Sequence, residues 1–304
     1  VPVHFANRGS LDGGQLTPWL ERMGNTALFI DAHVHIYSCF DLSKFFEYAS
    51  RNLAMEAGRA GPKGGYCPVL FLTEGSGQGW FTTLRETAVA RPGGSVGQSG
   101  CSVSGTMESC SLAVRRGNDD PLILIQGRQI VTSERLEVLA IGTDYKFDDG
   151  STMADTIDMV EDKGAVAVIP WGFGKWTGRR GRVLREYLCG MPGRGIFLGD
   201  NGGRPSFLPF PGLDLGGMKD RIRVMPGSDP LPFESECRRV GTYGFSVEGR
   251  MDHDRPARAI KEILLEGSAP LRPFGRHESP LRFIRNQLAM QIRRPKVRLS
   301  GGER

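Results

Sequence analysis

Asp31-Ala32-His33-Val34-His35 places two imidazoles two residues apart, directly after the apolar run Ala27 to Ile30. In an extended strand, residues two apart point the same way, so His33 and His35 can aim two ring nitrogens at one ion. The motif stands between a buried strand and a loop, and α/β folds gather their chemistry at the carboxyl ends of strands. Asp31 is placed to hold a ring nitrogen of a neighbouring histidine. The alternative reading of the pair is two hydrogen-bonded core histidines.

A second candidate is Trp171-Gly172-Phe173-Gly174-Lys175-Trp176-Thr177-Gly178-Arg179-Arg180, after another apolar run. Its glycines permit close backbone approach, and Lys175 and Arg179 supply positive charge, so the loop can hold an anion where a helix starts. It lacks the spacing of a nucleotide-binding P-loop. The alternatives are a surface turn, or two tryptophans packed across a barrel mouth. Gly75-Ser76-Gly77-Gln78-Gly79 raises a dinucleotide fold, but the spacing is wrong and no acidic ribose partner follows. No G-x-S-x-G elbow occurs.

These residues need elements to position them. Apolar runs predict seven buried strands at 27–30, 68–72, 122–125, 136–141, 165–169, 196–198 and 222–225, with 107–114 alternating like an extra edge strand. Helical patterns lie between them. Ser43 is placed to cap a helix burying Phe45, Phe46, Ala49 and Leu53; Ser151 one carrying Met153, Ile157 and Val160; and Asp254 opens one with Ile260, Ile263 and Leu264 inward, closed by Gly267. Strands separated by helices predict a mostly parallel sheet. Residues 92–107, rich in Gly and Ser, read as a flexible loop, and 199–219 as an irregular connection. Near the end, Ser279-Pro280 starts a helix whose Leu281, Ile284, Leu288 and Ile292 form one stripe. That stripe is expected to pack on the barrel exterior or a second subunit, with membrane-surface or nucleic-acid binding as alternatives.

Composition excludes whole-chain disorder, and no apolar run is long enough for a membrane span. The expectation is a cytoplasmic protein. The six cysteines form no C-x-x-C pair, so reduced structural thiols are expected. Of the 39 Lys and Arg, nine lie in residues 271–304 against two Glu, which places the formal charge of +5 in the tail. That tail, 279–304 in particular, is the segment through which nucleic acid would bind, although no nucleic-acid motif accompanies it.

The chain resembles the PHP (polymerase and histidinol phosphatase) superfamily over about residues 26 to 246 in its motifs. Asp31-Ala32-His33-Val34-His35 matches the family's first motif. Val69-Leu70-Phe71-Leu72-Thr73-Glu74-Gly75 is similar to a strand ending in Thr-Asp-His, with Glu74 at the Asp and Gly75 at the His. Gly127-Arg128-Gln129-Ile130 resembles the segment with a bridging glutamate, where Gln129 stands. Ala165-Val166-Ala167-Val168-Ile169-Pro170-Trp171 resembles a strand that usually ends in His before Pro, and Gly227-Ser228-Asp229-Pro230-Leu231 the late Gly-Ser-Asp-x-His motif, with Leu231 at the His.

The resemblance implies a distorted, seven-stranded, TIM-type β/α barrel over 26–270, preceded by an extension (1–25) and followed by a basic amphipathic helix and tail (271–304). It implies a metal-dependent phosphoesterase. With the ligand set reduced, one divalent ion, Zn or Mn, is expected on His33, His35 and Asp229. Asp31 and Gln129 would stand behind the ligands, Glu74 or Glu137 would accept a proton, and Lys175 and Arg179 would steady a small anionic substrate. The alternative is a barrel that has lost catalysis and binds a ligand or protein partner through the same mouth. A third reading is an anion-binding regulator using its arginine-rich tail. Substrate and oligomeric state are not readable from these residues.

Overall fold

Near-continuous apolar runs in β1 (Thr26–Val34), β2 (Tyr66–Glu74) and the first half of β5 (Leu122–Val131) bury both faces of the central strands. The computed structural model describes residues 26–62, 65–90, 100–190, 196–208, 210 and 222–293. The remaining elements are α1 (Leu42–Ala60), α2 (Trp80–Ala90), β3 (Cys101–Gly105), β4 (Ser111–Arg116), β6 (Glu137–Ile141), α3 (Met153–Asp162), β7 (Val166–Pro170), α4 (Gly178–Gly190), β8 (Ile196–Asn201) and β9 (Ile222–Gly227). A 3-10 turn (Glu234–Arg239), β10 (Tyr243–Gly249), α5 (Pro256–Glu266), β11 (Arg272–Gly275) and α6 (Pro280–Arg293) complete them.

One sheet runs in the order β11-β10-β1-β2-β5-β6-β7-β8-β9, with the β3–β4 hairpin attached to β5. Among the described residues it has eleven strands rather than seven, and it is mixed rather than mostly parallel. Only β1–β2, β2–β5, β7–β8 and β8–β9 are parallel. The reason lies partly in a hairpin: Thr132 to Leu136 form a tight turn, with Arg135 at φ +61°, so β6 returns along β5 without a crossover helix. The 92–107 stretch, read as a loop, contains β3 at its described end. β10 interleaves its apolar residues with Gly, Ser and Glu, and β11 has only four residues, so neither registered as an apolar run. Beyond residue 270 the sheet continues, since β11 pairs with β10. Residues 1–25, 209, 211–219 and the tail 294–304 lie outside the described residues.

The sheet nearly closes into a barrel. β10 pairs with Thr26 to Ile30 of β1, and above it the chain after β9 meets the upper part of β1. There the Ser228 N–H donates to Asp31 Oδ1 at 2.8 Å and the Asp229 N–H donates to His33 O at 2.8 Å. Leu28, Ile30, Val69, Phe71, Ile123, Ile125, Leu139, Val168, Met225 and Phe245 fill the interior, and Ile260 and Leu264 of α5 join them. Lys261 of α5 donates to Gly142 O and Gly164 O, which places this helix at the end of the barrel opposite the histidine motif. Outside, α1 and α2 cover β1 and β2, while α3 and α4 cover β6 and β7.

Helix starts differ from expectation by a residue or two. Asp41, not Ser43, caps α1 by accepting from the Lys44 N–H, and Thr152, not Ser151, caps α3 through Asp155 N–H. At α5 the first donors, Ala257 and Arg258 N–H, go to Glu108 rather than to Asp254. In α6 the predicted stripe faces outward: Leu281, Ile284, Leu288 and Ile292 are exposed, and Phe283 and Asn286 are buried instead. No helix among the described residues is long and apolar enough to cross a membrane.

Candidate metal centre at the barrel mouth

A one-residue slip in β1 aims the histidines. Asp31 lies opposite Leu70 and Val34 opposite Leu72, so three steps on β1 match two on β2. Such a bulge reverses which residues face the interior. Below it, Leu28, Ile30 and Ala32 pack inside and Phe29 outside; above it, Val34 and Ile36 pack outside with Phe29. His33 and His35 therefore turn to the interior. Without the slip, both imidazoles would lie under α1.

The two imidazoles meet head-on, with His33 Nε2 and His35 Nε2 3.0 Å apart. Asp229 Oδ1 stands 3.8 Å from the first and 3.6 Å from the second, beyond hydrogen-bond reach, and Gln129 Oε1 lies 3.2 Å from His33 Nε2. Two nitrogens on one tetrahedral ion at ~2.05 Å would be about 3.3 Å apart. The donor set fits one divalent ion: two imidazoles and a carboxylate converge, with an amide oxygen beside them. Among the described residues, no other group of three His, Cys, Asp or Glu brings its donor atoms within 4.8 Å of one another.

The carboxylate is held from three sides. Asp229 adopts φ +43°, an uncommon conformation for a non-glycine residue, while its own N–H is tied to His33 O. The Asn201 amide donates to Asp229 Oδ2, and its oxygen accepts the Gly203 N–H at 2.6 Å, so the amide can present only its NH2 to the aspartate. Gly227 makes room, because a Cβ there would fall 2.4 Å from His33 N.

Electrostatics keep the trio ready for a cation. Burial, with His33 adding to it and Asp229 opposing, pushes His35 down to about 4, so its ring is neutral at neutral pH with a lone pair to offer. Burial alone would raise Asp229. The charges of His33, His35 and Lys175 and the Asn201 hydrogen bond outweigh it and hold the carboxyl below its ordinary value. His35 Nδ1 is buried without a hydrogen-bond partner.

The other predicted site residues separate by strand parity. Gln129 and Glu137 share the interior side of β5 and β6 with Ile125 and Leu139. Glu137 pairs with Lys175, whose charge reaches Asp229 and His35. Glu74 is on the opposite face of β2, where it accepts the Phe81 N–H at the start of α2; burial raises its pKa. It stands outside the trio. Asp31 precedes the bulge and also faces away. Its oxygens take the backbone N–H groups of His33, Ser228 and Gly241 rather than an imidazole, which corrects the expected role. Burial, opposed by those bonds, raises it to about 6. Arg179 is exposed in the first turn of α4, and among the described residues no contact ties it to the trio. Trp171 and Trp176 pack into the outer layer with α3 and α4, not across the mouth.

Sequence reasoning missed Asn201 and Tyr37. Tyr37 follows His35 at the same two-residue spacing and its ring lies tilted against the His35 ring, centroids 5.7 Å apart, while also packing on the outer cluster. Asn201 carries no such signal in its spacing, because it meets Asp229 only through the β8–β9 pairing that sets Asn201 opposite Gly227. A cleft of about 1350 Å³ opens at the other end of the barrel, around Ala27, Ile123, Val247 and His253, so concavity alone does not locate this centre.

Solved structures that resemble the chain include the following. PsfC from Pseudomonas syringae PB-5123 aligns at a TM-score of 0.47 and 14% identity, covering 89% of this chain and 99% of that one. The lesion-specific endonuclease PfuEndoQ from Pyrococcus furiosus aligns at 0.44 and 13%, covering 81% of this chain and 58% of its own. Endonuclease Q in complex with a 27-mer duplex bearing an abasic lesion aligns at 0.44 and 10%, covering 90% and 68%. No family model and no curated protein matches. At these scores the likenesses carry no chemistry to this chain, and the functional reading rests on its side chains.

Proposed function

We propose that the chain is a metal-dependent hydrolase acting on a phosphate ester, with one divalent ion on His33, His35 and Asp229. The observation that carries this reading is the convergence of two imidazoles and a carboxylate from distant segments at the mouth of one barrel. When bound, a zinc- or manganese-like ion supplies Lewis acidity and brings the pKa of a water toward neutrality. The protein's own groups do the rest. Neutral His35 and ionised Asp229 offer lone pairs, Asn201 fixes the carboxylate's orientation, and Gln129 borders the same space. Lys175 contributes positive charge for the substrate anion and Glu137 a proton acceptor beside it; Arg179, at the rim, adds long-range attraction for anions.

One observation favours a second reading, a barrel that binds a ligand or protein without turnover. Both candidate proton acceptors are already engaged, Glu74 in capping α2 and Glu137 with Lys175. Metal analysis of protein purified without chelator, followed by phosphomonoesterase and phosphodiesterase assays with Mn or Zn, separates the two. The enzyme reading expects stoichiometric metal and turnover, both lost in His33→Ala; metal binding without turnover supports the binding module. A folded protein that takes up no metal and shows no turnover contradicts the enzyme reading and likewise supports the binding module.

A further inference from the structure

The two faces of α6 carry opposite assignments. Its inner face is anchored: Phe283 is buried, Asn286 donates to Glu278 Oε1 at 2.9 Å, and Arg282 donates to buried Glu236 at 2.6 Å. Its outer face presents Leu281, Ile284, Leu288 and Ile292 at 83%, 54%, 56% and 84% exposure. At 100° per residue these four fall within an arc of about 80° and extend about 17 Å along the axis. Scattered surface leucines need no explanation, but a continuous stripe on a helix already secured by its other face does.

Charge and area choose the occupant. From Ser279 to Gly302 the chain has no acidic residue; exposed Arg285 borders the stripe, and Arg293, Arg294, Lys296 and Arg298 follow it in sequence. Arg282 is left out of this set because Glu236 engages it. A second copy is disfavoured by size: four aliphatic side chains offer roughly 400 Å², short of the ~800 Å² per partner of a stable interface. A nucleic acid would use the arginines and leave the stripe in water. An anionic bilayer surface uses both, taking the aliphatic side chains between headgroups and the arginines at the phosphates.

We propose that the outer face of α6 docks the protein onto an anionic phospholipid surface. The proposal is independent of the metal centre. Its test is flotation of the full chain with vesicles of phosphatidylcholine alone or mixed with phosphatidylglycerol, at low and high salt. Binding is expected only to the mixed vesicles, weaker in salt, and reduced about tenfold or more by Ile284→Glu with Leu288→Glu, with thermal unfolding unchanged. Leu288→Ser, a milder change at an exposed site, is expected to weaken binding in the same direction. Equal behaviour of wild type and both variants overturns the proposal. So does wild-type protein that ignores vesicles, whether it dimerises through this stripe in sedimentation experiments or binds DNA or RNA instead.

Discussion

At the scale of single residues, the centre depends on groups that never touch the ion. Asn201 has one orientation available, because Gly203 holds its oxygen, and that orientation directs Asp229. Asn201→Ala is expected to weaken Zn or Mn binding about 10- to 100-fold in calorimetric titration while leaving the unfolding midpoint nearly unchanged. Gly227→Ala acts differently: its methyl would meet the His33 backbone, not a yielding side-chain tip. The expected cost is on the order of 3 kcal/mol, read from chemical denaturation, together with impaired metal uptake. The His-x-His spacing, Asp229 and the position of Gln129 were legible in the chain because they are local or belong to recognisable segments. The misassigned Asp31 and Glu74 show where locality ends, since each lies beside the right residues but on the wrong face.

At the scale of elements, that face is decided by the bulge in β1. Apolar alternation located the strand but could not reveal that Ala32 and His33 both turn inward, because a slip is defined only against β2. The same limit explains β6, where the Thr132 to Leu136 turn replaces an expected crossover. Deleting Ala32 would make two steps on β1 match two on β2, keep Val34 opposite Leu72 and put His33 at the inward position that Ala32 leaves. The expected result is that metal binding is kept, along with helical and strand content by circular dichroism; loss of metal binding in the folded variant would refute this account of the bulge. Helices were read more faithfully than their caps. Asp41→Ala, removing the observed α1 cap, is expected to cost about 1 kcal/mol, whereas Ser43→Ala should cost little.

At the scale of the whole molecule, the C-terminal segment is bound to the mouth by buried charge. Asp200 accepts from Arg204 Nε at 2.8 Å, from the Tyr243 hydroxyl at 2.6 Å and lies 2.9 Å from His277 Nε2, while Arg239 joins Glu236 to Glu278. Burial opposes ionisation of Asp200, but the hydrogen bonds of Arg204, His277 and Tyr243 outweigh it and lower the carboxyl from 3.8 to about 2. A depressed carboxyl contributes stability that is present above its unfolded pKa and is lost as pH falls through its folded one. Asp200 therefore stabilises the fold above about pH 4 and ceases to do so toward pH 2. Asp31, raised to about 6, has the opposite sign: its contribution is present below about 4 and lost as pH rises through 6. Urea midpoints followed from neutral pH into acid should show Asp200→Asn less stable at neutrality and flatter in acid; an unchanged acid limb contradicts the network's role. The network was not legible in sequence, because the local pair Asp200 and Arg204 meets Tyr243 and His277, which the β10–β11 pairing brings together, only when the sheet has closed. The same closure unites Asp229 with the histidine pair. X-ray absorption at the zinc edge of the reconstituted full chain tests that union most directly. One ion per chain, with two imidazoles and oxygen in its shell and the imidazole signal reduced in both His33→Ala and His35→Ala, is the expected result. A shell containing cysteine sulfur, or one unaltered by those substitutions, would contradict it.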